Sequence, residues 1–312
     1  MLTQEDKLAR MGLVTGSRIA RILGISPFGG PMSVYAELVD GAEIEESKPM
    51  KRGRLFEPAV LAWHAEDAGC TLEPSRTLVH PKHPRIGATP DAIAIYQDGE
   101  RRVVEAKIVG WQFASQWGPA GTDQIPDYYV AQCQFEMGCA GLTKCDVCAL
   151  IGADDFRQYV VEFDELVFAR LVREGERFLL EHVDPRIPPP PDGTVAWDEW
   201  IKIHLPLNER SVVVPADDAA EIRLRELERA EKAFKEAERE YKRTRQEVEL
   251  LIADADAIAG QCGRVSWKKT KGRATTDWEG LAKFLGASDE TVKRFTSAGE
   301  GHRRFLTTWA KK

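Results

Sequence analysis

The sequence of 312 residues contains no run of eighteen apolar residues, so no stretch of it suits a membrane-crossing helix. It also lacks a basic excess. Lys and Arg total 43 against 50 Asp and Glu, a formal charge of −7, which excludes a generally basic nucleic-acid coat but not a local basic track. Residues 1–10 have no apolar core, which predicts no secretory leader. Cysteines are few, six in all, and their spacing matches no strong zinc pattern. Cys145 and Cys148 form a C-x-x-C, with Cys133 and Cys139 on the preceding predicted helix. A metal or iron–sulfur centre and a set of buried free thiols are both open readings, and the second is preferred. No internal repeat is visible.

What is present is concentrated in one stretch. Gly87-Ala88-Thr89-Pro90-Asp91 is followed by Glu105-Ala106-Lys107. Between them lie two β-prone runs, residues 92–96 and 101–104, joined by Gln97-Asp98-Gly99-Glu100, which predicts a β-hairpin. Glu105 and Lys107 are two apart on one strand and share a face. Asp91 depends on register. A two-residue Asp98-Gly99 turn would send it to the opposite face. A three-residue loop, with Gly99 left-handed as in a G1 bulge, pairs Tyr96 with Glu100 and sets Asp91 opposite Glu105. The second register is predicted. Two adjacent carboxylates repel unless a cation lies between them, and a divalent metal is the usual one. Lys107 beside them would hold a nucleophilic water or a phosphate oxygen. A lone acid and lysine two apart on a strand is more often a solvated surface pair; Asp91 lifts this one above that reading.

Upstream, Thr15-Gly16-Ser17-Arg18 leads into a short helix ended by Gly24, with Thr15 or Ser17 as cap. Hydroxyls, a glycine, Arg10 and Arg18 suit a phosphate, although an ordinary N-cap is the plainer reading. Residues 33–39 read as a second short helix. Lys51-Arg52-Gly53-Arg54-Leu55-Phe56-Glu57-Pro58 opens a longer helix to about residue 68, with Pro58 in its first turn. Glu57 is either a surface acid favoured by the helix dipole or a carboxylate near a metal, with Arg52 and Arg54 facing phosphates. His64 reads as structural. Residues 71–80 read as one strand. The aromatic, glycine-rich loop after the hairpin carries Trp111 and Trp117, either of which could stack on an unpaired base, although packing inside is the plainer reading of each. Asp127 caps a helix on which Gln132 is spaced to point back at the hairpin. Residues 144–151 and 156–161 read as paired strands and 164–182 as an amphipathic helix. A proline-rich linker follows. Residues 216–257 read as one helix of roughly 60 Å, with Leu227, Ala230, Phe234, Ala237, Tyr241, Thr244, Val248 and Leu251 at coiled-coil-like spacing. The tail reads as a strand at 264–270, helices at 278–285 and 290–295, and a last strand at 302–308. Lys268, Lys269, Lys271 and Arg273 form its basic cluster.

The ordered motifs R-x-G-x-V-T-G-S at Arg10 to Ser17, R-G-R-x-x-E at Arg52 to Glu57, G-A-T-P-D, E-A-K and Y-x-x-x-Q-x-Q-x-x-M from Tyr128 to Met137 together resemble the YqaJ-type viral recombinase family. That is the lambda-exonuclease-like branch of the PD-(D/E)XK nucleases, and the resemblance covers about residues 8–182. It implies an α/β (α+β) fold with a restriction-endonuclease-like core, a central mixed sheet flanked by helices. It also implies roles. Asp91, Glu105 and the carbonyl of Ala106 would ligate Mg²⁺, and Lys107 would orient the attacking water. Glu57 would complete the site near a second Mg²⁺, with Mn²⁺ able to substitute, and Gln132 would position water or Lys107. Arg10 and Ser17 match positions that hold a 5′-terminal phosphate; Arg18 stands beside them where an acid is common. Arg54 falls at a basic phosphate contact, next to Arg52, and Trp117 is the aromatic taken toward DNA.

The expected organisation is a nuclease core at 1–183, a proline-rich linker and packing segment at 184–215, and a long helix with a small α/β tail at 216–312. The expected function is a 5′→3′ double-strand DNA exonuclease that leaves 3′ overhangs for single-strand annealing recombination, phage-encoded and acting in the host cytoplasm. Expected partners are duplex DNA ends, further copies in a trimeric or tetrameric ring, and a single-strand annealing protein, with no membrane. The competing readings are a single-strand or flap nuclease of the same superfamily and an inactive DNA-end-binding protein.

Overall fold

The structure, a computed structural model, describes residues 9–42, 46–74, 76–205, 213–269 and 275–295. The chain divides into two compact units, Met1–Pro206 and Leu207–Lys312.

The first unit is built on two sheets. Strands β1 (Val14–Thr15), β3 (Leu78–His80) and β4 (His83–Ala88) form one, in the order β1-β4-β3. Strands β2 (Thr71–Pro74), β5 (Ala92–Ile95), β6 (Arg101–Val109), β7 (Lys144–Ile151) and β8 (Asp155–Glu162) form the other, in the order β2-β5-β6-β7-β8. Within it β6 and β7 are parallel and the remaining neighbours antiparallel. A parallel pair needs a crossover, and here it contains helix α4 (Asp127–Ala140); the other helices are α1 (Gly16–Ile22), α2 (Pro31–Tyr35), α3 (Lys48–Ala68), α5 (Glu165–Phe178) and α6 (Val195–His204). Period-two alternation divides the core of the large sheet. Val103, Cys145 and Val147 face Cys133 and Met137 of α4. Val104, Ala106 and Cys148 pack with Val60 of α3. This is the expected mixed sheet flanked by helices.

Several expectations change. Residues 71–80 are two strands in different sheets, because Leu78 and Val79 pair with β4 while residues 71–74 pair with β5. Helix α3 begins at Lys48, not near Lys51: Ser47 accepts from the Met50 amide at 3.3 Å, and Pro49 rather than Pro58 occupies its first turn. Pro58 therefore lies inside the helix, where it donates no hydrogen bond to the Arg54 carbonyl. The proline-rich stretch folds onto its own unit. Trp197 and Trp200 pack against the cluster of Met32, Val34, Tyr35 and Phe178, and Trp197 Nε1 donates to the Pro190 carbonyl at 3.3 Å.

The second unit contains the 35-residue helix α7 (Asp218–Ile252), about 52 Å long at 1.5 Å per residue. Asp217 caps it and Ala253, at φ 50°, ends it. A hairpin of β9 (Ala257–Gly260) and β10 (Gly263–Ser266) follows, with short helices α8 (Trp278–Phe284) and α9 (Asp289–Arg294) beyond. The strand expected at 302–308 and the basic residues Lys271 and Arg273 lie outside the described residues.

Candidate active site

The β5–β6 register builds the site. Pairing runs from Ile95 opposite Arg101 to Ala92 opposite Val104, so the next position sets Asp91 opposite Glu105. The loop is the three-residue one: the Tyr96 amide donates to the Glu100 carbonyl at 2.9 Å, and Gly99 has φ 86°. Asp91 is anchored by the backbone of the facing strand, with Oδ2 accepting from the Ala106 amide at 2.8 Å.

Four further side chains converge here. Lys107 forms an ion pair with Glu105, and its Nζ donates to Gln132 Oε1 at 3.3 Å. Gln132 Nε2 donates to Glu105 Oε1 at 2.6 Å and to Glu136 Oε1 at 2.9 Å. Lys107 Nζ also lies 4.6 Å from the centre of the Tyr129 ring, a cation–π contact. Glu136 and Tyr129 were not singled out as site residues from sequence. The i, i+4 spacing of Gln132 and Glu136 on α4 was the available signal.

The electrostatics are those of a cluster with excess negative charge. Burial, and then the charge of Glu105, push the Asp91 carboxyl well above the usual range. Glu136 is raised for the same two reasons. Glu57, half-buried on α3, is raised by burial, with Glu105 adding to the shift and Lys107 opposing it. Burial alone would lower Lys107, but Glu105, Tyr129 and Asp91 more than offset it and hold the amine above the usual lysine value. Glu105 Oε2 and Glu136 Oε2 are buried with no hydrogen-bond partner among the described residues. A buried carboxylate oxygen left without a donor is costly, and a hard cation satisfies it. The paired acids therefore fit a divalent metal. Among the described residues no three His, Cys, Asp or Glu side chains converge as ligands, so a cation here would take backbone carbonyl or water oxygens as well.

The expected phosphate residues assemble beside this cluster. Thr15 of β1 pairs with Gly87 of β4, which joins the first motif to the third. A Cβ on Gly87 would lie 2.7 Å from Leu13 Cδ1 and 2.9 Å from the Leu78 carbonyl, so only glycine fits. Arg10 donates to Ser17 Oγ at 3.3 Å. Burial first, then Arg18, lower the Arg10 pKa. Arg18 has a different commitment: it donates to the Leu13 carbonyl at 2.7 Å, to the Arg10 carbonyl at 3.1 Å and to Glu37 at 3.1 Å. It shapes the Arg10 loop. Arg52 is exposed and donates to the Ile108 carbonyl at 3.2 Å, while Arg54 is paired with Glu46 at 2.7 Å. Trp117 corrects an expectation. It is 5% exposed, packed between Tyr129 and Tyr159, and so presents no face to a base; Trp111, 66% exposed, and Phe113 are the open rings of that loop. His64 is buried and structural, with Nδ1 3.1 Å from Gln158 Oε1 and Nε2 3.6 Å from Asp146 Oδ2. Cys145 and Cys148 fall in core clusters on opposite faces of β7, which prevents them from sharing a metal. All six cysteines are free, five of them buried.

A mixed sheet with an acid from one hairpin strand opposite the E-x-K of the next is the arrangement that the sequence resemblance leads one to expect. Residues 7–143 match the family model of the YqaJ-like viral recombinase domain, a span that contains all five motifs. No curated protein sequence matches the chain. Among solved structures it is similar to LHK-Exo, an alkaline exonuclease from Laribacter hongkongensis, at 25% identity and a TM-score of 0.48, covering 59% of this chain and 94% of that one. LHK-Exo in complex with dAMP matches over the same shares at 24% and 0.49. A phage related exonuclease from Haemophilus somnus 129PT matches at 14% and 0.41, over 53% of this chain and 92% of that one.

Proposed function

We propose that this chain is a divalent-metal-dependent DNA exonuclease that degrades one strand of a duplex end in the 5′→3′ direction with Mg²⁺. The observation that carries the reading is the register that sets Asp91 opposite Glu105, with Lys107 beside them and Gln132 bridging Glu105 to Lys107. Asp91, Glu105 and the Ala106 carbonyl would hold the metal, with Glu57 toward a second ion. Bound there, divalent ions supply charge neutralisation on the attacking and leaving oxygens of phosphodiester hydrolysis. The chain's own residues do the rest. Lys107 holds the attacking water, Gln132 fixes Lys107, and Arg10 with Ser17 receives a terminal 5′ phosphate. The contact between Arg10 and Ser17, next to the glycine that packs on α4, supports the 5′ end as the entry point. The product would be a 3′ overhang, the substrate of a single-strand annealing protein. A ring of three or four copies would explain how a chain of charge −7 retains DNA. A phage origin fits the same role.

The test is digestion of linear duplex with and without a 5′ phosphate in Mg²⁺, wild type against Glu105→Ala. Faster loss of the phosphorylated duplex, abolished in the variant, is expected. Equal residual degradation by both proteins overturns the enzyme reading. Cleavage confined to single strands favours the flap-nuclease alternative.

A further inference from the structure

Glu136 is 2% exposed, carries a carboxyl oxygen with no partner among the described residues, and touches none of the reacting groups named above. Among the described residues its one side-chain hydrogen bond is from Gln132 Nε2, at 2.9 Å. That bond has a consequence for Gln132, whose amide has two chemically different ends. Lys107 only donates, so the amide oxygen must face it; carboxylates only accept, so the NH₂ must face them. Glu105 alone leaves one of the two N–H groups free. Glu136 takes the second, and the amide is then held at all three of its contacts. The helix fixes the geometry, because residues four apart stand one above the other. Gly16 closes the far side: a Cβ there would lie 3.2 Å from Gln132 Cγ and 3.4 Å from Glu136 Cγ.

We infer that Glu136 is a positioning residue that locks the Gln132 amide, and through it Lys107, in the orientation the site needs. The inference rests on the nuclease reading only for its kinetic consequence; the locked amide is a property of the folded chain.

The variants are Glu136→Ala, Glu136→Gln, Gln132→Ala and the double Gln132→Ala/Glu136→Ala. The first readout is solvent exchange of the Gln132 side-chain NH₂ by NMR, its signal identified by loss in Gln132→Ala. Slow exchange is expected in wild type and in Glu136→Gln, which keeps an acceptor, and exchange about tenfold or more faster in Glu136→Ala. The second readout is kcat and KM on linear duplex with Mg²⁺. Glu136→Ala is expected to lose about 10–100-fold in kcat, the usual effect of removing a residue that orients another at a metal site. KM should hold within about twofold, and Glu136→Gln should restore most of the rate. The double variant should be no worse than Gln132→Ala alone, since coupled residues are non-additive. Unchanged exchange in Glu136→Ala overturns the inference, as does a double variant whose loss is the product of the singles. So does a Glu136→Gln variant as impaired as Glu136→Ala. If Glu136→Ala does not fold, Glu136→Leu fills the volume without an acceptor and takes its place. Wild type that fails to digest DNA sinks the nuclease reading, and the exchange measurement then decides the inference alone.

Discussion

Two polar clusters are buried on opposite faces of the same sheet, and they solve burial differently. On the α3 face, Asp146 accepts from Tyr96 at 2.6 Å and from Arg102 at 3.2 Å, with His64 Nε2 3.6 Å away. Burial alone would raise its pKa, but the nearby His64 and the hydrogen bonds from Tyr96 and Arg102 hold it below the usual range. Tyr96, in turn, is raised by burial and by its bond to Asp146. On the α4 face, Asp91, Glu105 and Glu136 share one lysine, two carboxyl oxygens have no donor, and Asp91 and Glu136 are both raised. In the first cluster both Asp146 oxygens have donors, although His64 Nε2 has no hydrogen-bond partner among the described residues, and the cluster ties β7 to the β5–β6 hairpin. In the second it is carboxylate oxygens that have no donor, and a cation would satisfy them. Burial of charge marks both; an unsatisfied carboxylate marks the second as the candidate site.

Substitution should separate the two. Glu105→Gln is expected to reduce duplex digestion by about 10³-fold, several kcal/mol of transition-state stabilisation. In chelator the same variant should melt at or above the wild-type temperature, because it removes a carboxylate oxygen that nothing satisfies. A clear destabilisation there would break the comparison. Asp146→Asn should do the reverse. It weakens the hydrogen bonds from Tyr96 and Arg102, with Glu100 left as the other partner of Arg102, and should cost about 1–3 kcal/mol in denaturant unfolding. The folded fraction should cleave within about threefold of wild type.

The same carboxylate sets a pH dependence. Asp146 has a folded pKa below its unfolded value of about 3.9. Its contribution is therefore fully present above that value and is lost as pH falls through the lower folded value. Urea midpoints measured between pH 7 and pH 3 should fall steeply at the acid end in wild type and less steeply in Asp146→Asn. Equal slopes would mean that Asp146 is not the group responsible. The smallest effect belongs to Gly16→Ala. Contacts of 3.2–3.4 Å to Gln132 and Glu136 force a shift of a few tenths of an ångström, and about a tenfold loss of kcat is expected from misplacing a supporting group.

How much of this was legible in the sequence follows from how local each signal is. The hairpin register was legible because a left-handed glycine and period-two alternation fix it within fifteen residues. Gln132 was legible because helical spacing points it at the preceding strands. Glu136 was not: on a helix buried on most sides, an acid one turn from a glutamine reads as an ordinary helix residue until the fold buries it beside Gln132. The start of α3 was missed because two prolines compete for the first turn, and the cap at Ser47 decides between them. Trp117 was counted toward DNA although packing inside was the plainer reading, and its burial depends on Tyr129 of the next helix and Tyr159 of β8. The split of residues 71–80 likewise depends on which distant strand each half pairs with.

Whether the unsatisfied cluster is a cation site can be read from calorimetric titration of the metal-free protein with Mn²⁺. Wild type should give a saturable isotherm, lost in Asp91→Asn and Glu105→Gln and retained in Asp146→Asn. Equal binding by all four proteins, or none by wild type, would contradict a cation site there.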